Sequence, residues 1–184
     1  MIGTVAVRAA RATDIDAMEA LINGYAREDR MLLRDRAFLE HALSDFVVAE
    51  DASSSPPAFL GCCALASLTA DLGEVRSLAV TPAAAGRGIG RDLVVACVAA
   101  ARQRGLRRVF ALTLVPDFFV KCGFTLTSLA RLPEKSAEEC PVCPKRLACD
   151  EQAMLLHLDG SRPVPLAPGE PVGYTRLVHP GAAP

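Results

Sequence analysis

The feature that most constrains the fold lies between residues 74 and 91. Glu74-Val75-Arg76-Ser77-Leu78-Ala79-Val80-Thr81-Pro82 is a largely apolar run stopped by a proline, and Ala83-Ala84-Ala85-Gly86-Arg87-Gly88-Ile89-Gly90-Arg91 follows as a glycine-rich turn. A strongly apolar helix, Asp92 to Ala101, comes next. Gly86, Gly88 and Gly90 fall where the backbone must turn tightly and let something approach without a Cβ in the way. A turn feeding a helix in this manner presents N–H groups without intrahelical partners at the positive end of the helix dipole, which suits phosphate. Arg87 and Arg91 add positive charge beside it. The same glycines also serve a plain strand-to-helix connection. A dinucleotide fingerprint is disfavoured, because the spacing is G-x-G-x-G and several strands' worth of chain precede it.

The pattern around this unit predicts alternating strands and helices. Val5 to Ala9 reads as a first strand, and Thr13 as the N-cap of a helix that carries Ile15, Met18, Leu21, Ile22 and Tyr25 to about Ala26. Asp35 caps a short second helix with Phe38, Leu39, Ala42 and Leu43 on its apolar face. Strands follow at Phe46–Ala49 and Phe59–Leu65, joined by the Ser/Pro loop from Ala52 to Pro57, and the fourth is Gly73–Val80. Arg102, Arg104 and Gly105 close the apolar helix. Arg108–Thr113 is the fifth strand, Pro116 opens a short helix through Lys121, and Phe124–Leu129 and Ala153–Leu158 are the last two strands. The order predicts an α/β (α+β) domain over residues 1–158. From Asp159 onward six prolines accompany Gly and Ala, which predicts a loosely held tail over 159–184.

Composition narrows the function classes. The formal net charge of -1 gives no nucleic-acid footprint. Leu93 to Ala101 is too short to span a bilayer, and Met1-Ile2-Gly3-Thr4-Val5 leads into a strand without a basic, apolar leader. The 7 cysteines, an odd number, favour reduced thiols and hence a cytoplasmic protein.

Leu78-Ala79-Val80-x-Pro82 followed by Gly86-Arg87-Gly88-Ile89-Gly90 resembles the acetyl-CoA motif of the GNAT N-acetyltransferases, with Ala85 where an arginine or glutamine is usual. Phe119-Val120-Lys121-Cys122-Gly123-Phe124 resembles the family's helix-to-strand signature. The resemblance implies a single domain whose mixed, mostly antiparallel sheet of about seven strands is splayed between strands four and five, with helices on both faces. It further implies acetyl-CoA as co-substrate, its pyrophosphate held by the amides of Gly86, Arg87, Gly88, Ile89, Gly90 and Arg91. Its pantetheine arm would lie along Leu78, Ala79 and Val80, with Thr113 and Phe119 nearby.

Acetyl transfer to an amine needs a group that takes the ammonium proton and donors for the thioester oxygen. In the resembled family a glutamate on strand four takes the first role, a place held here by Glu74. Ser77 on the same strand is the second catalytic candidate, and the N–H of Leu78 or Ala79 is the natural oxygen donor. The alternative for Glu74 is a solvated strand-end carboxylate. No tyrosine stands at Phe119 to protonate the leaving thiolate. Cys62, Cys63 and Cys122 have no neighbouring histidine, so direct attack in a ternary complex is favoured over a cysteine nucleophile.

Met31-Leu32-Leu33-Arg34-Asp35-Arg36 resembles an element of bacterial amino-acid N-acetyltransferases of the N-acetylglutamate synthase family, as do the fourth strand and Val115–Phe124. Leu132-Pro133-x-Lys135 and the stretch from Cys140 to Ala153 resemble the C-terminal part of its short members, which lack a kinase-like domain. The implied acceptor is L-glutamate. Its carboxylates would meet Arg34, with Leu32 beside it, and Lys145, with Lys121 as a further cation. Asp35 stands where serine is usual and would compete for Arg34. Cys140-x2-Cys143-x5-Cys149 could take zinc with His157 or Asp150, but no second C-x-x-C accompanies it, so a thiol-bearing loop and no metal are expected. His41 and His179 have no constellation around them. Other small amines as acceptors, and a degenerate acetyl-CoA-binding sensor, are the alternatives. The oligomeric state is open, a homodimer being one option.

Overall fold

The computed structural model describes residues 3–178. Its elements run β1 (Val5–Ala9), α1 (Ile15–Arg27), α2 (Arg36–His41), β2 (Phe46–Asp51), β3 (Ala58–Ser67), β4 (Leu72–Val80), α3 (Ile89–Gln103), β5 (Arg108–Thr113), α4 (Pro116–Lys121), β6 (Thr125–Leu126), α5 (Pro133–Ser136), β7 (Gln152–His157) and α6 (Tyr174–Val178). The strands form one 7-stranded sheet in the order β1-β2-β3-β4-β5-β7-β6. β1/β2, β2/β3, β5/β7 and β6/β7 pair antiparallel, whereas β4 and β5 pair parallel, Leu72–Glu74 lying against Arg108–Phe110. The sheet is thus mixed and mostly antiparallel, as expected. The chain divides into two compact units, Met1–Ala66 with Val75–Ala101, and Ser67–Glu74 with Arg102–Pro184. Among the described residues no helix is long and apolar enough to cross a membrane.

In the first unit, the apolar stripe of α1 buries Ile15, Met18 and Ile22 with Leu39, Phe46, Val48, Cys62 and Ala79. The start of α1 differs from the expectation. Asp14, not Thr13, organises it: a 3-10 turn over Ala12–Asp14 precedes the helix, and the Asp14 carboxylate accepts from the Arg11 N–H at 2.7 Å. The Arg8 guanidinium donates to Asp14 at 2.7 Å and reaches Glu50 at 2.7 Å, joining β1, β2 and the helix entry. The hydrogen bond from Arg8 holds the Asp14 carboxyl below its usual range. α3 begins at Ile89 rather than Asp92, so Gly90 lies inside the helix.

Gly61 on β3 shows how closely two strands approach. A Cβ built there would lie 2.5 Å from the Ala79 carbonyl oxygen and 3.1 Å from the Val80 Cα. Only a residue without a side chain lets the β4 backbone pass at that distance.

The second unit buries Phe110, Leu129, Leu132, Ala153, Leu155 and Tyr174 together. Where a long sixth strand was expected, β6 is confined to Thr125–Leu126. Ser128 then caps a 3-10 turn at Leu129–Arg131, its hydroxyl accepting from the Ala130 N–H, and α5 follows. The segment after β7 also departs from the expected loose tail as far as residue 178. The Pro171 carbonyl accepts from the Leu129 N–H at 2.9 Å and the Ser128 hydroxyl at 2.8 Å, and Val172 accepts from the Ala153 N–H at 2.8 Å. Arg131 forks onto Glu170 at 2.8 and 2.5 Å. Proline removes a donor but keeps its acceptor, so a proline-rich segment still docks through its carbonyls. Residues 179–184, His179 among them, lie outside the described residues.

Gly61→Ala places a methyl against backbone rather than a movable side chain. It is expected to cost about 1–3 kcal/mol, read as a lower midpoint in urea unfolding. An unchanged midpoint would mean that β3 and β4 separate freely.

Candidate active site

The glycine turn belongs to the first unit. β4 ends where the Thr81 N–H donates to the Leu60 carbonyl at 2.8 Å, and a 3-10 turn over Pro82–Ala84 reverses the chain. Gly86 (φ +74°) and Gly88 (φ +83°) take conformations that side chains rarely adopt, and no heavy atom lies within 4 Å of where their Cβ atoms would be. Backbone conformation therefore requires glycine here, not crowding. Gly86, Arg87, Gly88 and Arg91 are exposed, while Ile89 is buried and anchors the first turn of α3. The result is an open loop of amides at the N-terminus of a 15-residue helix.

On the β4 side of this unit, Ser77 adopts φ +53°, which interrupts the extended run between Arg76 and Leu78. Leu78 and Val80 are half-buried and Ala79 is buried. The Tyr25 hydroxyl donates to the Val80 carbonyl at 2.7 Å, a link that nothing in the sequence spacing announces.

Arg34 is fixed through its backbone. Its N–H donates to the Asn23 side-chain oxygen, and the Asn23 amide donates back to the Arg34 carbonyl, both at 2.9 Å. The guanidinium lies 4.3 Å over the Phe38 ring, with that of Arg76 5.5 Å from the same ring, and Leu32 is half-buried nearby in sequence. Asp35 has a task of its own beside Arg34. Its carboxylate caps α2, accepting from the Phe38 N–H at 2.8 Å.

The second unit holds Glu74. It is 4% exposed, so the reading as a solvated strand-end carboxylate falls. The Lys135 ammonium donates to it at 2.9 Å and to Glu139 at 2.7 Å. Burial pulls the Lys135 pKa down, but Glu74 and Glu139 outweigh it and the net shift is upward. Glu151 is pushed up by burial and by the Glu74 charge, against the opposing pull of Lys135 and Lys145. Lys135 entered the sequence reading only as part of a motif. The signal available was Glu139 four residues on, a helical spacing that lets one lysine serve two acids.

The other predicted residues of this unit fall in different settings. Thr113 is buried, its hydroxyl oxygen accepting from the Val115 N–H at 3.0 Å. Phe119 is packed edge-on between Phe118 and Phe124, with centroids at 5.2 and 5.3 Å. Lys145 lies 4.0 Å from Asp150, and Lys121 is exposed. Among the described residues no group of three or more His, Cys, Asp and Glu side chains is arranged to hold a metal ion. His157 instead meets the Ser161 hydroxyl at 2.6 Å.

All the cysteines are free thiols. Burial pushes Cys62 and Cys140 up to about 12, which leaves them without thiolate at neutral pH. Labelling with a thiol reagent at pH 7 should modify Cys122 and Cys143 well before Cys62, Cys63, Cys97 and Cys140, as mapped by peptide mass. Early modification of Cys62 or Cys63 would reopen a cysteine nucleophile.

The Acetyltransferase (GNAT) family model matches residues 12–124. An uncharacterized N-acetyltransferase of Chlorobaculum tepidum is 40% identical over 149 residues, covering 81% of this chain and 94% of that protein. An amino-acid acetyltransferase of Mycobacterium tuberculosis is 40% identical over 119 residues, 65% of this chain and 67% of that one. Among solved structures, Rv2747 from Mycobacterium tuberculosis in complex with CoA and NLQ aligns with a TM-score of 0.72 at 33% identity, covering 83% of this chain and 99% of that one. N-acetylglutamate synthase from Neisseria gonorrhoeae, complexed with coenzyme A and N-acetyl-glutamate, aligns at 0.75 and 30% identity, covering 85% of this chain but 35% of that longer one. The family model spans more than half of the chain, from α1 to α4 with β2–β5 and the glycine turn, and the chain belongs to the GNAT acetyltransferase family.

Proposed function

We propose that the protein transfers the acetyl group of acetyl-CoA to the α-amine of L-glutamate, the entry step of arginine biosynthesis. The observation that carries the reading is the buried carboxylate of Glu74 on β4, in a chain whose glycine turn is open around Gly86 and Gly88. The amino-acid acetyltransferase relatives and the CoA complexes of similar folds support it.

Acetyl-CoA, when bound, supplies an activated thioester carbonyl. The amides of Gly86–Arg91 would hold its pyrophosphate, and the β4 backbone at Leu78–Val80 its pantetheine arm. Glu74 accepts the proton of the acceptor ammonium, and the N–H of Leu78 or Ala79 donates to the carbonyl oxygen as negative charge builds there. The Ser77 kink is the local feature that turns this backbone away from a regular ladder. Thr113 keeps a hydroxyl proton to donate while its oxygen accepts from Val115. The cysteines carry no step in this scheme.

Arg34, stacked on Phe38 and clamped by Asn23, is pre-organised to fork onto a carboxylate, and Lys145 is the candidate for a second. A second reading, acetylation of another small amine, rests on the same arginine: a single cation recognises the α-carboxylate that every amino acid carries. Measuring CoA release with each of the twenty amino acids separates the two, and no release with any amine would leave only a binding domain. Glutamate should be the best acceptor and glutamine a poorer one. Equal use of glutamine or lysine would overturn the glutamate assignment.

Glu74→Gln should lower turnover by about 10²–10⁴-fold with little change in acetyl-CoA affinity. A near-parent rate with an unshifted pH profile would show that another group takes the proton. Arg34→Ala should raise the glutamate KM roughly 30-fold or more while sparing acetyl-CoA binding, and an unchanged KM would remove Arg34 from the acceptor site.

A further inference from the structure

A carboxylate that is to act as a base must be ionised at rest. Glu74 is 4% exposed, and burial by itself favours the neutral acid. A second acid lies within electrostatic reach, since the Glu74 charge helps to push Glu151 up. The opposing element is Lys135, whose side chain is 11% exposed and whose ammonium sits 2.9 Å from Glu74 and 2.7 Å from Glu139. It is presented by a short, well-fixed segment. Leu132, buried, begins it, Pro133 opens α5, and the Lys135 N–H donates to the Leu132 carbonyl at 3.1 Å.

We infer that Lys135 is the positioning residue of the proton-accepting site: clasped between Glu74 and Glu139, its ammonium fixes the Glu74 carboxylate and keeps it ionised. The inference rests on the reading of Glu74 as base. When Glu74 takes the acceptor's proton it becomes a neutral acid. Lys135 keeps its own proton and its bond to Glu139, and the proton on Glu74 later passes to solvent. The charged and titratable groups around the pair are Glu139 beyond α5, Cys140 after it, and Lys145, Asp150 and Glu151 on the segment leading to β7. Lys135 meets Glu74 with the opposite charge and a direct hydrogen bond of 2.9 Å.

The sign follows. Removing the ammonium raises the pKa of Glu74, so the acidic limb of the kcat/KM profile must move to higher pH. Lys135→Met should shift that limb upward by about one unit or more, depress activity most at neutral pH and less in alkaline solution, and leave acetyl-CoA affinity unchanged. Lys135→Arg, which keeps the charge, should restore most of the parent profile. A uniform loss at all pH values that arginine fails to rescue would mark a merely structural lysine and overturn the inference. Should Lys135→Met not fold, Glu139→Gln decides the matter: with one acid fewer beside Lys135, the limb should move to lower pH, and an unmoved or raised limb overturns it. The failure of the underlying reading is separate. If Glu74→Gln matches the parent, Glu74 is no base; if Glu74→Gln is inactive and the Lys135→Met limb stays in place, only the role of Lys135 falls.

Discussion

A buried carboxylate is the constraint on which much of the second unit depends. Glu74 is removed from water on a strand whose neighbours Leu72 and Val75 are core residues. Breaking a buried ion pair by deleting one partner costs about 3–5 kcal/mol, because the remaining charge stays desolvated. The fold must therefore deliver a cation to that point, and it does so from far along the chain, with Lys135 on α5. The segment that carries Lys135 is itself fixed by Leu129 and Leu132 in the core and by the returning chain at Pro171. An acid on β4 thus needs the proline-rich segment after β7 to be in place.

The first unit is governed by a different constraint, the geometry of its backbone. Gly61 lets the β4 backbone approach β3, and Ser77 breaks the extended run of β4 within the same few residues. Beyond the strand, Gly86 and Gly88 take positive φ in open space. Each device arranges main-chain amides and carbonyls rather than side chains. A pyrophosphate or a thioester oxygen can be recognised through such groups without any particular side chain.

Arginine is used in two ways in this molecule. Arg8 and Arg131 tie segments together, forking onto Asp14 and Glu170. Arg34 is prepared differently: Asn23 holds its backbone, Phe38 supports the plane of its guanidinium, and Asp35 beside it is occupied in capping α2. An acid adjacent in sequence to a cation can still be engaged by a helix N-terminus, as Asp35 is.

The sequence by itself determined the order of strands and helices as far as β6, though not α5 and α6, together with the two-strand loop at Ala52–Pro57 and the location of the glycine turn. These depend on local signals: hydrophobic period, proline stops, and glycine where only glycine fits. It also singled out Glu74 and Arg34, through short motifs. Tertiary structure alone decided that Glu74 is buried and matched by Lys135, that Phe119 is packed between Phe118 and Phe124, and that Asp14 rather than Thr13 organises the start of α1. It likewise decided that the segment after Asp159 docks through its carbonyls as far as residue 178. These outcomes join residues far apart in the chain, or turn on which of two neighbouring polar groups finds a partner. Burial and ion pairing arise only when the chain has folded, so no window of neighbouring residues records them.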